Sequence, residues 1–429
     1  MPEKNHKNKV KYNPFNNITI NKNDISAHKS ILHPCKNPQN MIEASYLYKG
    51  NTQRMKKLIR NANAGEKINI VVLGGSITEG SGMSDGNYYG DVLNRWFKAK
   101  YPNNEICFTN AGKGTTTSLF GSARIERDIL PLNPDLIIIE YAVNDIILED
   151  RIAREAFEAV VKRLLLLPSE PCVFILLSCM GDLGSAQELD IPIGVYYEVP
   201  MASFKDAIVF HLKEMFGKNY ESEMTENQIS DYVIKNFIYD GCHPNTYGYQ
   251  LLCDFITYRL LLAEKELDVD EEYIIPTTPL YSDRFVTAAI QNNKVLRVTQ
   301  NSQWEKADRD DPYMERGFIT SVYGAFIEFE FDCKILIIVS RRSISPKYGV
   351  VTVKIDDKEP ITIDGYFHNG WGTYNDYKLI IDECESKIHR VLITFNDVKS
   401  NEIIEKSTEY GIKSEDIALK FIISEFLIS

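Results

Sequence analysis

The chain has 429 residues, 44% of them hydrophobic and 25% charged. At about 150 residues per domain that is two or three globular units, and it excludes wholesale disorder. Lys plus Arg is 48 against 60 for Asp plus Glu, a formal charge of −12, which repels phosphates and anionic lipid and excludes nucleic acid and membrane as expected partners.

The longest apolar stretches, such as Val173 to Met180, fall well short of the ~18 residues of a membrane span, and Met1 to Asn16 has no apolar signal core. The expectation is a soluble, cytoplasmic protein. Eight cysteines are scattered without a CxxC pair and read as reduced, mostly buried thiols. Residues 1–44 are rich in Lys and Asn and read as an irregular arm. A helix is predicted over Thr52 to Ala64, with Gly65 at its end, followed by a short strand over Ile68 to Leu73. Tyr88 to Lys100 sets Tyr89, Val92, Leu93, Trp96 and Phe97 on one helical face. Cys107 to Asn110 reads as a second strand. Asp135 to Tyr141 and Cys172 to Ser178 are nearly all apolar, as strands covered on both faces must be, and the helix over Arg151 to Leu167 lies between them. Strands alternating with helices imply a parallel sheet in an α/β domain at 45–265. A long helix over Asn245 to Glu264 closes that domain. An acidic Pro/Thr linker follows at 266–279, and period-two runs such as Ile327, Phe329, Phe331 and Val391, Ile393, Phe395 mark an all-β sandwich over 280–429.

Four segments carry candidate chemistry. Gly74-Gly75-Ser76-Ile77-Thr78 follows the first strand, where glycines let the chain turn sharply and present a serine at the carboxyl end of the sheet. A phosphate cradle or a plain turn would use similar residues, but the GxxxxGK[ST] and GxGxxG patterns are missing. Asn110 to Ser118 is a glycine-bearing loop after the next strand. Tyr141-Ala142-Val143-Asn144-Asp145 ends a buried strand with an amide able to donate to an oxyanion, or with two ordinary helix caps. Asp240-Gly241-Cys242-His243-Pro244 brings an acid and a base onto one loop before the last helix, the pair that a serine nucleophile needs. Read alone, it would also fit a structural histidine and a common Asp-Gly turn.

In this order and each after a strand, the four segments resemble the SGNH (GDSL-type) serine hydrolase superfamily over about residues 45 to 265. The resemblance implies a three-layer, flavodoxin-like parallel-sheet domain with Ser76 as nucleophile, His243 as base and Asp240 as its orienter. It implies an oxyanion hole from the Ser76 N–H, the Asn144 side chain and a backbone N–H of the Gly114–Thr115 pair, which spacing places on Thr115. The usual GDSL wording is altered here to Gly-Gly-Ser-Ile. The β-rich tail, with Trp371 and the run Ile388 to Val391, resembles the jelly-roll partner of two-domain carbohydrate acetyl esterases. Trp304, Trp371, Tyr366 and Tyr374 are candidates for stacking on sugar rings, or for sandwich core.

The expected function is therefore a serine esterase that removes a small acyl group, acetyl, from an oligosaccharide or polysaccharide through an acyl-enzyme. The alternatives are a lipase-like esterase or acyltransferase on the same site, and a carbohydrate-binding or scaffold protein with a vestigial one. No cofactor and no metal is expected: the seven histidines are spread along the chain, with only His28 and His33 close together.

Overall fold

The structure, a computed structural model, describes residues 38–83, 86–269, 272–307, 316–367, 372–396 and 419–429. Its first part is a layered α/β domain. Helix α1 (Pro38–Ala44) and strand β1 (Tyr46–Tyr48) lead into α2 (Gln53–Asn63) and β2 (Ile68–Gly74); α3 (Ser76–Glu79) and α4 (Tyr89–Lys100) precede β3 (Ile106–Gly112). Then come α5 (Ser118–Ala123), β4 (Leu136–Glu140), α6 (Asp150–Leu165), β5 (Cys172–Leu177), α7 (Gln187–Tyr196) and β6 (Met201–Ser203). Four helices follow: α8 (Phe204–Phe216), α9 (Tyr220–Glu223), α10 (Glu226–Phe237) and α11 (Thr246–Glu264). The six strands lie in the order β1-β6-β5-β4-β2-β3, all parallel except β1.

Burial explains the strand grammar. Ile68, Ile70 and Val72 of β2 enter a core with α2, α4 and α11, while Val71 and Leu73 enter another with α6 and α7. With helices on both faces, the central strands β4, up to Glu140, and β5 are apolar at successive positions rather than alternating. One segment differs from expectation. Pro38–Ala44 is a helix with Met41 buried, where an irregular chain was expected; residues 1–37 lie outside the described residues. The fifth parallel strand is the three-residue β6, too short to carry a pattern, while the stretch from Gly217 to Asp240 holds α9 and α10.

The second part is antiparallel: β7 (Ala289–Gln291), β8 (Val298–Ser302), β9 (Glu305–Ala307), β10 (Gly317–Thr320), β11 (Phe326–Ser343), β12 (Val350–Ile355), β13 (Ile361–Asp364), β14 (Thr373–Phe395) and β15 (Phe421–Ile428). These form one curled sheet organised on the long β11–β14 pair. An irregularity between Cys333 and Ile335 shifts the register, so core residues fall at 327, 329, 331 and 333 before it and at 336 and 338 after it. The jelly-roll-like core contains Trp304 and the β-sheet phenylalanines.

The two parts pack together. Ile335, Ile337 and Val339 on the outer face of β11 meet Leu119, Phe120, Ala156 and Ala159 of α5 and α6. Glu158 of α6 is fully buried and accepts the N–H groups of Leu280, Tyr281 and Ser282, where the chain enters the second part. The expected linker lies along the first domain: Tyr273 and Ile275 pack against its core, and Lys162 donates to the carbonyl of Thr277.

Candidate active site

The turn after β2 puts Ser76 at the start of α3, where the first N–H groups have no carbonyl to bond within the helix. Gly75 is required by close approach: a Cβ there would stand 2.3 Å from Oδ1 of Asn144. The loop after β4 thus lies directly against the serine turn.

Asp240 and His243 sit on a loop closed on itself. The N–H of Tyr239 donates to the carbonyl of His243, Ile238 pairs with Pro244, and Gly241 takes a φ of 90°. The N–H of Gly181 anchors the loop through the Gly241 carbonyl. Asn245 caps α11 by accepting from the N–H of Gly248, so Pro244 stands before the cap rather than inside the first turn. His243 Nε2 lies 2.8 Å from Ser76 Oγ, and His243 Nδ1 lies 2.8 Å from Asp240 Oδ2. Asp240 Oδ1 also accepts the N–H groups of His243 and Cys242, at 2.8 and 3.1 Å. Burial works to raise the Asp240 carboxyl, but the His243 side chain and these backbone donors hold it below its ordinary value. An ionised Asp240 fixes the ring orientation and favours the Nδ1–H tautomer, leaving Nε2 to face the serine.

The loop after β3 forms another wall. Of the pair singled out from sequence, Gly114 has its N–H committed to Glu79 Oε2 at 3.1 Å, and Thr115 takes a φ of 62°. A β-branched residue in that region is strained and persists only where its surroundings over-determine it. Asn144 begins a short 3-10 turn after β4, and α6 starts later, behind Glu149. The cap reading of Asn144 and Asp145 is thereby set aside: Asp145 Oδ1 instead accepts the N–H of Ser118 at 2.8 Å, joining the Asn144 segment to the end of the Thr115 loop.

Behind Asn144 lies a group of buried acids that sequence reading missed. Burial first, then the charge of Asp145, pushes the Glu140 carboxyl to about 8. Burial raises Asp145 to about 7, and Asp190 lies well above its ordinary value for the same reason, with Asp145 and Glu140 adding to it. A glutamate ending an otherwise apolar strand was the available signal. Trp304 and Tyr366, candidates for sugar stacking, are 4% and 6% exposed and belong to the interior of the second part; Trp371 lies outside the described residues. Tyr374 is half-buried. Cys172, Cys179, Cys253 and Cys333 are buried thiols, Cys107 and Cys242 are partly buried, Cys384 is exposed, and Cys35 lies outside the described residues. Among the described residues no group of three or more His, Cys, Asp or Glu is arranged to hold a metal ion, and no helix is long and apolar enough to cross a membrane.

Ser76, His243 and Asp240 are in hydrogen-bond contact at the carboxyl end of the parallel sheet, an arrangement chemically suited to acyl transfer. Residues 72–251 match the model of the GDSL-like Lipase/Acylhydrolase family. The chain carries a GDSL-like acylhydrolase domain and is a carboxylic ester hydrolase. Both of its parts are similar to the crystal structure of a two-domain esterase (CEX) active on acetylated mannans, with a TM-score of 0.76 and 26% identity over 90% of this chain and 98% of that one. A structure of the two-domain esterase co-crystallized with mannopentaose aligns with a TM-score of 0.74 and 25% identity, over 90% of this chain and 97% of that one. No curated protein matches the sequence significantly.

Proposed function

We propose that the protein removes acetyl groups from an acetylated carbohydrate, with Ser76 as the nucleophile. The observation that carries the chemistry is the unbroken Ser76–His243–Asp240 contact, 2.8 Å at each step. The substrate class rests on the likeness of both parts to an esterase active on acetylated mannans.

In the first half-reaction Ser76 Oγ bonds to the acetyl carbonyl carbon while His243 Nε2 takes the hydroxyl proton. The N–H groups of Ser76 and Thr115 and the side-chain amide of Asn144 receive the charge that develops on the carbonyl oxygen. Gly114 does not share that task, because Glu79 holds its N–H. Collapse breaks the bond to the sugar oxygen, which leaves with the proton from His243. Water then repeats the sequence on the acetyl-serine, and acetate departs. Asp240 acts throughout by orienting the imidazole and stabilising its charged form.

Acetate release from acetylated mannan, xylan and oligosaccharides, with Ser76→Ala beside the unaltered protein, tests this reading. Hydrolysis of p-nitrophenyl acetate with no release from any acetylated glycan would remove the carbohydrate. Preferential transfer to an added sugar hydroxyl would make the protein an acyltransferase.

A further inference from the structure

Arg124, at the end of α5, is among the largest side chains of the molecule and is fully buried. Its Nη2 donates to the carbonyl of Ala111 at 2.5 Å and lies 3.3 Å from the Tyr141 hydroxyl and 3.5 Å from the Gly74 carbonyl. Its carboxylate contact, with Asp128, is 3.4 Å long. Each of the three acceptors stands just ahead of a different wall of the active site. Gly74 precedes Gly75-Ser76, Ala111 is the next-to-last residue of β3 before the Thr115 loop, and Tyr141 stands three residues before Asn144. Burying a guanidinium is costly unless its hydrogen bonds are met, so these groups are held where the cation needs them. Tyr141 is seated equally closely: a Cβ at Gly121 would come within 2.5 Å of its hydroxyl.

The second domain packs beside this arrangement. Tyr377 of β14 sets its ring 6.3 Å from that of Phe120 of α5. Beside it, Arg127 pairs with Glu425 of β15 at 3.4 Å.

The geometry points to Arg124 as a positioning residue for ester hydrolysis: it ties the ends of β2, β3 and β4 so that Ser76, the Thr115 N–H and Asn144 converge, and the β domain seals it from water. The inference rests on the assignment of Ser76 as nucleophile given above. It also gives the second domain a part in chemistry on small esters, independent of any contact with sugar.

The test uses the full chain with Arg124→Lys, Arg124→Met and Arg151→Gln, the last a control at the same interface, where Arg151 pairs with Asp382 and is 41% exposed. Measured are kcat and KM on p-nitrophenyl acetate, thermal unfolding, and the rate of labelling by a fluorophosphonate with the site read by mass spectrometry. A lysine ammonium has three donors for the three acceptors, whereas methionine fills comparable space without any. Arg124→Met is expected to lose ~10- to 100-fold in kcat and in labelling rate with KM little changed, as misplacement of catalytic groups does. Arg124→Lys should recover most of that loss, and Arg151→Gln should match the unaltered protein. Equal kcat for the folded Met and Lys variants would overturn the inference, since packing alone would then suffice. Should Arg124→Met not fold, Tyr141→Phe decides: a fall in kcat at constant KM supports the tie, and an unchanged kcat overturns it. Absence of label at Ser76 in the unaltered protein would instead remove the nucleophile assignment.

Discussion

The strands β4 and β11 bury themselves by different means. In β4 every residue from Leu136 to Glu140 is buried because helices cover both faces of the parallel sheet. In β11 the first half alternates, with Ile327, Phe329 and Phe331 in the core and Glu330 and Asp332 turned outward; the second half, from Ile335 to Val339, is apolar at every position. Among the described residues no helix of its own domain covers that outer face. The hydrolase domain does, through α5 and α6. A continuous apolar run inside an otherwise alternating strand therefore marks an interface, and here the interface lies one helix away from the Thr115 loop.

Variants in both regions put this contrast to the test. The largest effect belongs to the parallel sheet's cargo: Ser76→Ala should reduce kcat by ~10^4-fold or more with an unchanged melting temperature, because the hydroxyl carries chemistry and little packing. Acetate release and a thermal melt check both halves of the statement. Next comes the interface. Ile337→Asp buries an unpaired charge and should destabilise the chain by several kcal/mol, roughly 3 or more, whereas Asp332→Ala on the outward side of the alternating half should stay within about 0.5 kcal/mol. Denaturant midpoints of similar size for the two variants would contradict the two-part reading of β11. Asn144→Ala should lower kcat ~100-fold with KM little altered, since its amide acts on charge present only in the transition state; steady-state kinetics with p-nitrophenyl acetate measure it.

The buried acid that ends β4 has a smaller, pH-dependent effect. Folded Glu140 keeps its proton to about 8, against an ordinary value of 4.5. The folded chain thus binds more protons than the unfolded one in that window, and stability falls as pH rises through it. Glu140→Gln cannot ionise, so it should melt like the unaltered protein near pH 5 and higher than it near pH 8, with Asp145 and Asp190 retaining part of the slope. Melting curves that stay parallel across that range would refute the assignment. The smallest effect is none: a chelator should leave ester hydrolysis unchanged, and activity lost to chelator but restored by zinc would displace the serine mechanism.

The parallel sheet, the all-β tail and the candidate serine, histidine and aspartate were legible because each depends on a local pattern. Apolar runs reported strands covered on both faces, period two reported a half-covered sheet, and Asp240 and His243 lie three residues apart on one loop. Other features have no local pattern. Strand β6 is three residues long, and its membership comes from pairing with β5 and β1. Trp304 and Tyr366 look the same in sequence whether they stack on a sugar or fill an interior; in the folded chain Trp304 joins the core of the sheet and Tyr366 is buried.

By itself the sequence determined which backbone segments could be strands, which turns could expose a side chain, and which residues could serve as nucleophile, base and orienter, because these follow from side-chain chemistry and near-neighbour spacing. Tertiary structure decided the rest. It brought Ser76 and His243 together across 167 positions, occupied the Gly114 N–H with Glu79, and buried Arg124 among three strand ends. The physical reason is common to all three: a hydrogen bond or a desolvated charge depends on distance in space, and a linear pattern of residue types carries no such distance between segments far apart in the chain.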